Sequence, residues 1–217
     1  MSRQTLTGTL NIAVLASGRG SNLKAILDAV RSGTIRRARV SLVISNNPDA
    51  GALQIARVNG IASLHLSRQQ FESDEAFNTA LLSALTRHGV NFIALAGYLK
   101  KIHSSIIQAY RNRIINVHPA LLPAFGGPGM YGKFVHEAVI KSGAAISGAT
   151  VHVVDEQYDH GAIILQKSVP VAPDDTPETL AARVSAIEHE IYPEAIRRFA
   201  EGKVKIEEQH VEIESHV

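Results

Sequence analysis

The sequence predicts an α/β fold: a mostly parallel, twisted, Rossmann-like sheet with helices on both faces and antiparallel strands toward the C-terminal half. In the first half of the chain, short β-branched runs alternate with segments of helical periodicity. This βαβα rhythm builds parallel strands joined by right-handed crossovers. After Val117 the pattern changes to a Gly- and Pro-rich segment, a strand pair and one long helix.

The helices and strands of the first half are predicted from two patterns of apolar residues, one typical of buried strands and one typical of helices. Residues 11–16 form a short, almost wholly apolar run, which is typical of a strand buried on both faces. Residues 21–30 carry apolar side chains at helical spacing. Residues 46–49 end the second strand as a turn that can also cap the next helix. The same patterns predict strands over 40–45, 61–66, 91–96 and 113–117, and helices over 73–87 and 104–110.

The second half is predicted to begin with a long loop over residues 119–133. A polar turn over 155–161 then joins two strands, and a long helix begins at Pro177 with Thr176 as its N-cap. Pro193 should kink this helix. The predicted strands cover 147–154 and 162–169, and alternating apolar and charged residues over 201–217 predict edge strands.

Composition narrows the class of protein. The chain has 217 residues, of which 45% are hydrophobic and 19% are charged, and no cysteine. Two small domains are possible at this length, but without an internal repeat or linker we expect a single domain over 1–217. A net charge of +2 argues against nucleic acid as the main partner. Without a signal peptide over the first residues or a membrane-spanning apolar run, we expect a soluble cytoplasmic protein, either a monomer or a homodimer.

A glycine turn joins the first strand to the first helix. Its sequence, Ser-Gly-Arg-Gly-Ser-Asn over residues 17–22, frees backbone N–H groups at a helix start, where a phosphate binds well. The dinucleotide pattern fails because Leu23 stands where its third glycine would be. We therefore predict a monophosphate site, and the alternative is a tight turn capped by Ser21 or Asn22.

The most informative segment is Asn-x-His-Pro at residues 116–119. Strand alternation places Asn116 and His118 on one side of a strand end. A carboxamide and an imidazolium that converge on one carbonyl oxygen form an oxyanion site for acyl transfer. The alternative is a strand end whose polar groups are satisfied within the protein.

Three acids, Asp155, Glu156 and Asp159, follow in the turn over 155–161. One of these carboxylates is predicted to reach His118, raise its pKa and keep the ring charged near neutral pH. The alternative is a solvated hairpin tip. Four histidines at 118, 136, 152 and 160 were weighed as zinc ligands, but they lack metal-site spacing and a thiol, so we predict no metal.

These segments resemble the phosphoribosylglycinamide formyltransferase family, folate-dependent enzymes of purine synthesis. The resemblance covers nearly the whole chain and is carried by Ser17-Gly18-x-Gly20-Ser21-Asn22-Leu23, Ala94-Leu95-Ala96-Gly97-Tyr98, Asn116-x-His118-Pro119-x-Leu121-Leu122-Pro123, Gly148-x-Thr150-Val151-His152, Asp159-x-Gly161 and Glu188-His189-x-Ile191-Tyr192-Pro193. It implies a formyltransferase fold with a phosphate-binding half at about 9–117 and a folate-binding half at about 118–217.

The resemblance also implies residue roles in direct formyl transfer from 10-formyltetrahydrofolate, without a metal, to the amine of 5'-phosphoribosylglycinamide. Asn116, protonated His118 and Asp159 would be catalytic, with Asp159 holding His118 charged and ordering a water. The ribonucleotide would be bound by Gly20, Ser21, Asn22 and Glu188. The folate would be bound by Leu95, Tyr98, Leu99, Lys100, Lys101, Ile102, Asn116, Val154, Asp155, Glu156, Gln157, Tyr158 and Asp159.

The chain departs from the common family pattern at several positions. Lys100-Lys101 replaces an Arg followed by an apolar residue, and Ser185 replaces a Gln. Asp74 replaces an Arg, so Lys100 or Lys101 is expected to bind the folate carboxylates. The loop over 125–133 is longer than usual and is predicted to be a mobile flap. The resemblance also favours a cis bond at Leu122–Pro123.

Three other functions compete with formyl transfer to the ribonucleotide. A methionyl-tRNA formyltransferase would normally add a tRNA-binding domain and more positive charge. A formyltetrahydrofolate deformylase would carry an N-terminal regulatory domain, for which a first strand near residue 9 leaves no room. A non-catalytic nucleotide-binding module would make Asn116, His118 and Asp159 a coincidence.

Overall fold

A computed structural model describes residues 8–207 and 210–213. Its strands are β1 Leu10–Leu15, β2 Ala38–Ser45, β3 Ala62–His65, β4 Phe92–Leu95, β5 Ile114–His118, β6 Ile146–Val153, β7 Ile163–Pro170, β8 Val204–Glu207 and β9 His210–Ile213. Its α-helices are α1 Ser21–Arg31, α2 Gly51–Val58, α3 Asp74–Arg87, α4 Ser104–Ala109, α5 Lys133–Ser142 and α6 Pro177–Ala200, and a short 3₁₀ turn covers Arg68–Gln70.

The predicted fold class is confirmed. Seven strands form one sheet in the order β3-β2-β1-β4-β5-β6-β7. Strands β1 to β5 pair in parallel, whereas β6 runs antiparallel to β5 and β7 antiparallel to β6. The strand order reverses between β1 and β4, and a ligand crevice is expected beyond the carboxyl ends of the strands at such a point.

The sheet is buried on both faces. Ile12 and Val14 of β1 pack into the core beneath α1, α2 and α6, whereas Ala13 and Leu15 pack into the core beneath α3 and α4. All four are 0% exposed. This two-sided burial is the reason that β1 is a continuous apolar run rather than an alternating one.

Helix α6 is tied to the middle of the sheet by a buried tyrosine. The Tyr192 hydroxyl lies 2.9 Å from the Leu95 carbonyl oxygen and 3.2 Å from that of Ile115. Thr176 caps the helix through the Thr179 N–H, and Pro177 occupies its first turn, as predicted. The helix is assigned without a break through Pro193, and the kink stays a prediction.

Several local predictions were wrong or incomplete. The turn over 46–49 does not cap α2, whose N-cap is Ala50 without a side-chain hydrogen bond. Instead the Asn47 side chain accepts the N–H of Asp49 inside the turn. The C-terminal strands β8 and β9 pair with each other in a separate sheet instead of extending the edge of the main one. The predictions for residues 1–7, 208–209 and 214–217 lie outside the described residues.

Helix α5 was not assigned from the sequence. Its buried face includes Val135 and Val139, both 0% exposed. These residues follow a Gly-rich segment, and that composition predicts a loop that continues. Throughout the ranges 8–207 and 210–213, the helices fall short of the length and apolar character that a membrane crossing requires.

Candidate active site

A cavity of about 630 Å³ lies beyond the carboxyl ends of β1, β4 and β5. Its walls come from the start of α1, the segment after β4, the end of β5, the β6–β7 turn, the loop before α5, and α6. This volume lies in the usual range for a small-molecule site. The three predicted catalytic residues and all four predicted ribonucleotide residues line it.

The glycine turn leaves the start of α1 open. Gly20 is the N-cap in a left-handed conformation, with φ +81°, and no side chain caps the helix. The alternative prediction, a tight turn with Ser21 or Asn22 as the helix cap, is therefore wrong. A Cβ on Gly20 would lie 2.8 Å from the Ala52 Cα, so a larger residue does not fit without displacing α2. Uncapped N–H groups facing a cavity are a natural anion site.

Asn22 and Glu188 join the two sides of this part of the cavity. The Asn22 amide donates a hydrogen bond of 2.9 Å from Nδ2 to Oε2 of Glu188 on α6. Oδ1 of Asn22 is buried without a hydrogen-bond partner. Burial raises the pKa of Glu188 to about 7, although the hydrogen bond from Asn22 opposes this shift. The Glu188 carboxyl group is therefore costly to ionise, and Oδ1 of Asn22 can still accept a hydrogen bond.

The raised pKa of Glu188 makes stability depend on pH. Because the pKa is higher in the folded protein than in the unfolded chain, the associated stability is present below about pH 4.5 and is lost as the pH rises through about 7. We expect Glu188→Gln to unfold at a higher temperature than the parent at pH 8 and at nearly the same temperature at pH 5. Thermal unfolding at both pH values measures this difference. An equal gap at both pH values would contradict it.

Asn116 is oriented by a residue directly across the sheet. In the antiparallel β5–β6 pair, Asn116 stands opposite His152. Nδ2 of Asn116 lies 3.1 Å from Nε2 of His152, and Nδ1 of His152 lies 2.9 Å from the Val153 carbonyl oxygen. Both contacts are hydrogen bonds when Nδ1 of His152 donates to the Val153 carbonyl and Nε2 accepts from the Asn116 amide. The second N–H of the Asn116 amide then stays available to the cavity.

Asp159 stands between the two histidines. Its Oδ2 lies 3.6 Å from Nδ1 of His118, and its Oδ1 lies 3.5 Å from Nε2 of His152. The backbone N–H of Gly127 donates to Oδ2 at 2.9 Å. The convergence of an amide, an imidazole and a carboxylate that the sequence predicts is therefore present.

The prediction that a neighbouring carboxylate raises the pKa of His118 above its usual value is wrong. His118 is 3% exposed. Burial lowers its pKa below the usual 6.5, and this outweighs the Asp159 carboxylate and the Phe125 carbonyl, which raise it. For Asp159, burial favours the neutral acid, but the neighbouring His152 and His118 side chains and the Gly127 N–H together bring its pKa below the ordinary value. The lowered pKa of Asp159 thus favours its carboxylate form, and the lowered pKa of His118 favours the neutral ring.

Most of the residues predicted to bind folate line the cavity. All the predicted folate residues line the cavity except Glu156, which pairs with Arg111 at 3.2 Å outside it. Nζ of Lys101 lies 5.2 Å from the centre of the Tyr158 ring at the mouth of the cavity. Asp74 is paired with Arg68 and does not line the cavity.

The long loop before α5 reaches the predicted catalytic residues. Residues 127–133 line the cavity. The Phe125 carbonyl oxygen lies 2.8 Å from Nε2 of His118, and the loop also supplies the Gly127 N–H to Asp159. The peptide bond Leu122–Pro123 just before it is cis, as expected. The mobility of this loop stays a prediction.

Comparison with known proteins identifies the family. The formyl transferase family model matches residues 10–196. The chain belongs to the formyl transferase family. A chloroplastic phosphoribosylglycinamide formyltransferase of Arabidopsis thaliana is 44% identical over 201 residues, covering 92% of this chain and 68% of that protein. The phosphoribosylglycinamide formyltransferase of Escherichia coli K12 is 38% identical over 199 residues, covering 92% and 91%.

Solved structures of this formyl transferase family share the whole fold. Glycinamide ribonucleotide transformylase 1 from Symbiobacterium toebii superposes with a TM-score of 0.89 at 44% identity, covering 94% of each chain.

Sequence reasoning missed two buried histidines of the cavity. His152 and His136 are 2% and 5% exposed, and both line it. The sequence offers both only as candidate metal ligands, and His152 also as the end of a segment that carries the family resemblance. Alternation along β6 signals that His152 shares a face with Thr150, but its contact with Asn116 depends on the β5–β6 register, which the sequence does not state.

Proposed function

We propose that this formyl transferase moves the formyl group of 10-formyltetrahydrofolate to the amine of 5'-phosphoribosylglycinamide, giving N-formylglycinamide ribonucleotide and tetrahydrofolate. The observation that carries the proposal is the placing of Asn116, His118 and Asp159 at the middle of one cavity. On one side of them lies an open helix start, and on the other a partly apolar wall. The relatives of the same name support this substrate pair.

The ribonucleotide occupies the side formed by α1 and α6. Its phosphate binds the free N–H groups that follow Gly20, and Ser21 adds a hydroxyl donor. Glu188 and Asn22 offer an acceptor and an amide to the ribose hydroxyls. This arrangement leaves the glycinamide amine pointing toward Asn116 and His118.

The folate occupies the side between the segment after β4 and the β6–β7 turn. Leu95, Ile102 and Val154 provide apolar surface for the pterin, and backbone groups of residues 155–159 bind its polar edge. Lys100 and Lys101 at the mouth bind the carboxylates of the glutamate tail. Neither lysine forms a salt bridge in the described part of the chain, so both are available to such anions.

The chemistry uses groups of the protein and no metal. The amine attacks the formyl carbon, and the carbonyl electrons move to oxygen to give a tetrahedral oxyanion. The free N–H of Asn116 and the His118 ring stabilise that oxyanion. The lowered pKa of His118 favours a neutral ring at the start, and the new negative charge together with Asp159 favours its protonated form in the intermediate. The attacking nitrogen gives up one proton, and a water held by Asp159 passes a proton to folate N10. Collapse of the intermediate then breaks the bond to N10, leaving the neutral formamide and tetrahydrofolate.

A two-component assay tests this function against its closest alternative. The protein is mixed with 10-formyltetrahydrofolate, with and without the ribonucleotide, and the absorbance of the folate is followed. We expect a change only when the ribonucleotide is present. A change of equal rate without it would instead indicate a deformylase, and no change in either mixture would contradict both activities.

A further inference from the structure

His136 is a cavity residue for which the mechanism above has no use. It lies on α5, is 5% exposed and lines the cavity together with His118. Its Nδ1 is buried without any hydrogen-bond partner. A buried polar atom without a partner is costly and uncommon in folded proteins, and it is retained most readily where a ligand supplies the missing bond.

The ring is neutral when His118 carries the proton. Burial lowers the pKa of His136, and the charge on a protonated His118 lowers it further. The two imidazoles are thus close enough to couple. His118 has the carboxylate of Asp159 beside it, whereas among the described residues no carboxylate forms an ion pair with His136. A neutral imidazole offers one donor and one acceptor.

The position of α5 points to the ribonucleotide as the ligand. Helix α5 packs against α6, the helix that carries Glu188 and Ser185. The folate wall is formed by the segment after β4 and the β6–β7 turn instead. His136 therefore lines the cavity from the helix next to α6, which borders the proposed ribonucleotide side.

We propose that His136 is a positioning residue that hydrogen-bonds the glycinamide end of the ribonucleotide and so orients the attacking amine. The glycinamide group carries an amine, an amide N–H and a carbonyl oxygen, which match the donor and the acceptor of a neutral imidazole. This inference rests on the proposed function, because it names a contact to the same substrate.

Calorimetric binding tests the contact without relying on turnover. His136→Phe removes both polar atoms and keeps the ring shape, and His136→Leu replaces it if the Phe variant does not fold. His136→Asn and His136→Gln place an amide near the Nδ1 and Nε2 positions respectively. Each variant is titrated with glycinamide ribonucleotide and with ribose 5-phosphate, which has the phosphate and the ribose but lacks the glycinamide group.

We expect His136→Phe to weaken ribonucleotide binding about tenfold, the usual cost of losing one good hydrogen bond. Ribose 5-phosphate affinity should not change, and Asn or Gln should restore most of the loss. The thermal midpoint of the unliganded Phe variant should not fall, because Nδ1 makes no hydrogen bond to lose.

Three results would overturn the assignment: unchanged ribonucleotide affinity, equal losses for both ligands together with a lower thermal midpoint, or no recovery in either amide variant. If the parent protein binds no glycinamide ribonucleotide at all, the proposed function itself fails. If the parent protein binds the ribonucleotide and transfers the formyl group to it, and His136→Phe does both equally well, then only the role proposed for His136 fails.

Discussion

Replacing His118 by alanine is expected to lower the turnover number by about 10²–10⁴, the usual contribution of a positioned acid or oxyanion donor. The same range is expected for Asn116→Ala, because its amide is held toward the cavity by His152 at 3.1 Å. In both variants the oxyanion loses one of its two protein partners. Steady-state kinetics with both substrates at saturation measure the loss.

His210→Ala is the matched control for His118→Ala. His210 is exposed on β9 and does not line the cavity. Its loss should leave the turnover number unchanged. A His118→Ala enzyme that is as active as the His210→Ala enzyme would remove His118 from the mechanism.

Asp159→Asn is expected to reduce turnover by a comparable factor, about 10²–10⁴. The substitution keeps the shape of the side chain but removes the only carboxylate within 4 Å of both His118 and His152 among the described residues. Because Asp159 raises the pKa of His118, its neutral replacement should make that pKa lower still. The activity that remains should therefore fall off at a lower pH than in the parent enzyme.

The pH–rate profiles of the parent, Asp159→Asn and Asp174→Asn proteins test this expectation. Asp174 is an exposed acid outside the cavity and should leave the profile unchanged. An Asp159→Asn enzyme with lower turnover but the parental pH dependence would show that Asp159 acts on something other than the His118 charge.

The sequence predicts the sheet well because burial on both faces leaves a direct trace in it. A continuous apolar run such as β1 is typical of a strand that is buried on both faces of a sheet. The bounds of β1 differ from the prediction by one residue at each end. The start of α6 was also predicted, because Thr176 as N-cap and Pro177 in the first turn are signals within a few neighbouring residues. Helix α5 was missed because the glycines before it suggest a loop, and its packing against α6 is a tertiary contact that the sequence does not show.

The candidate site was predictable where it depends on nearby residues. Asn116 and His118 are two apart on one strand, so alternation alone brings them together. The hydrogen bond between Asn22 and Glu188 joins residues that are 166 apart, and only the resemblance suggested that they share a site. The predicted pKa shift of His118 was wrong because it depends on burial, which a neighbouring carboxylate in the sequence does not reveal.

In the proposed reaction, the ribonucleotide amine receives the formyl carbon directly at Asn116, His118 and Asp159. The most direct test follows the label from [¹³C-formyl]tetrahydrofolate by NMR in a single turnover with glycinamide ribonucleotide. We expect all the label in the formylated ribonucleotide, with none released as formate. Label that accumulates as formate, at a rate independent of the ribonucleotide, would contradict the account.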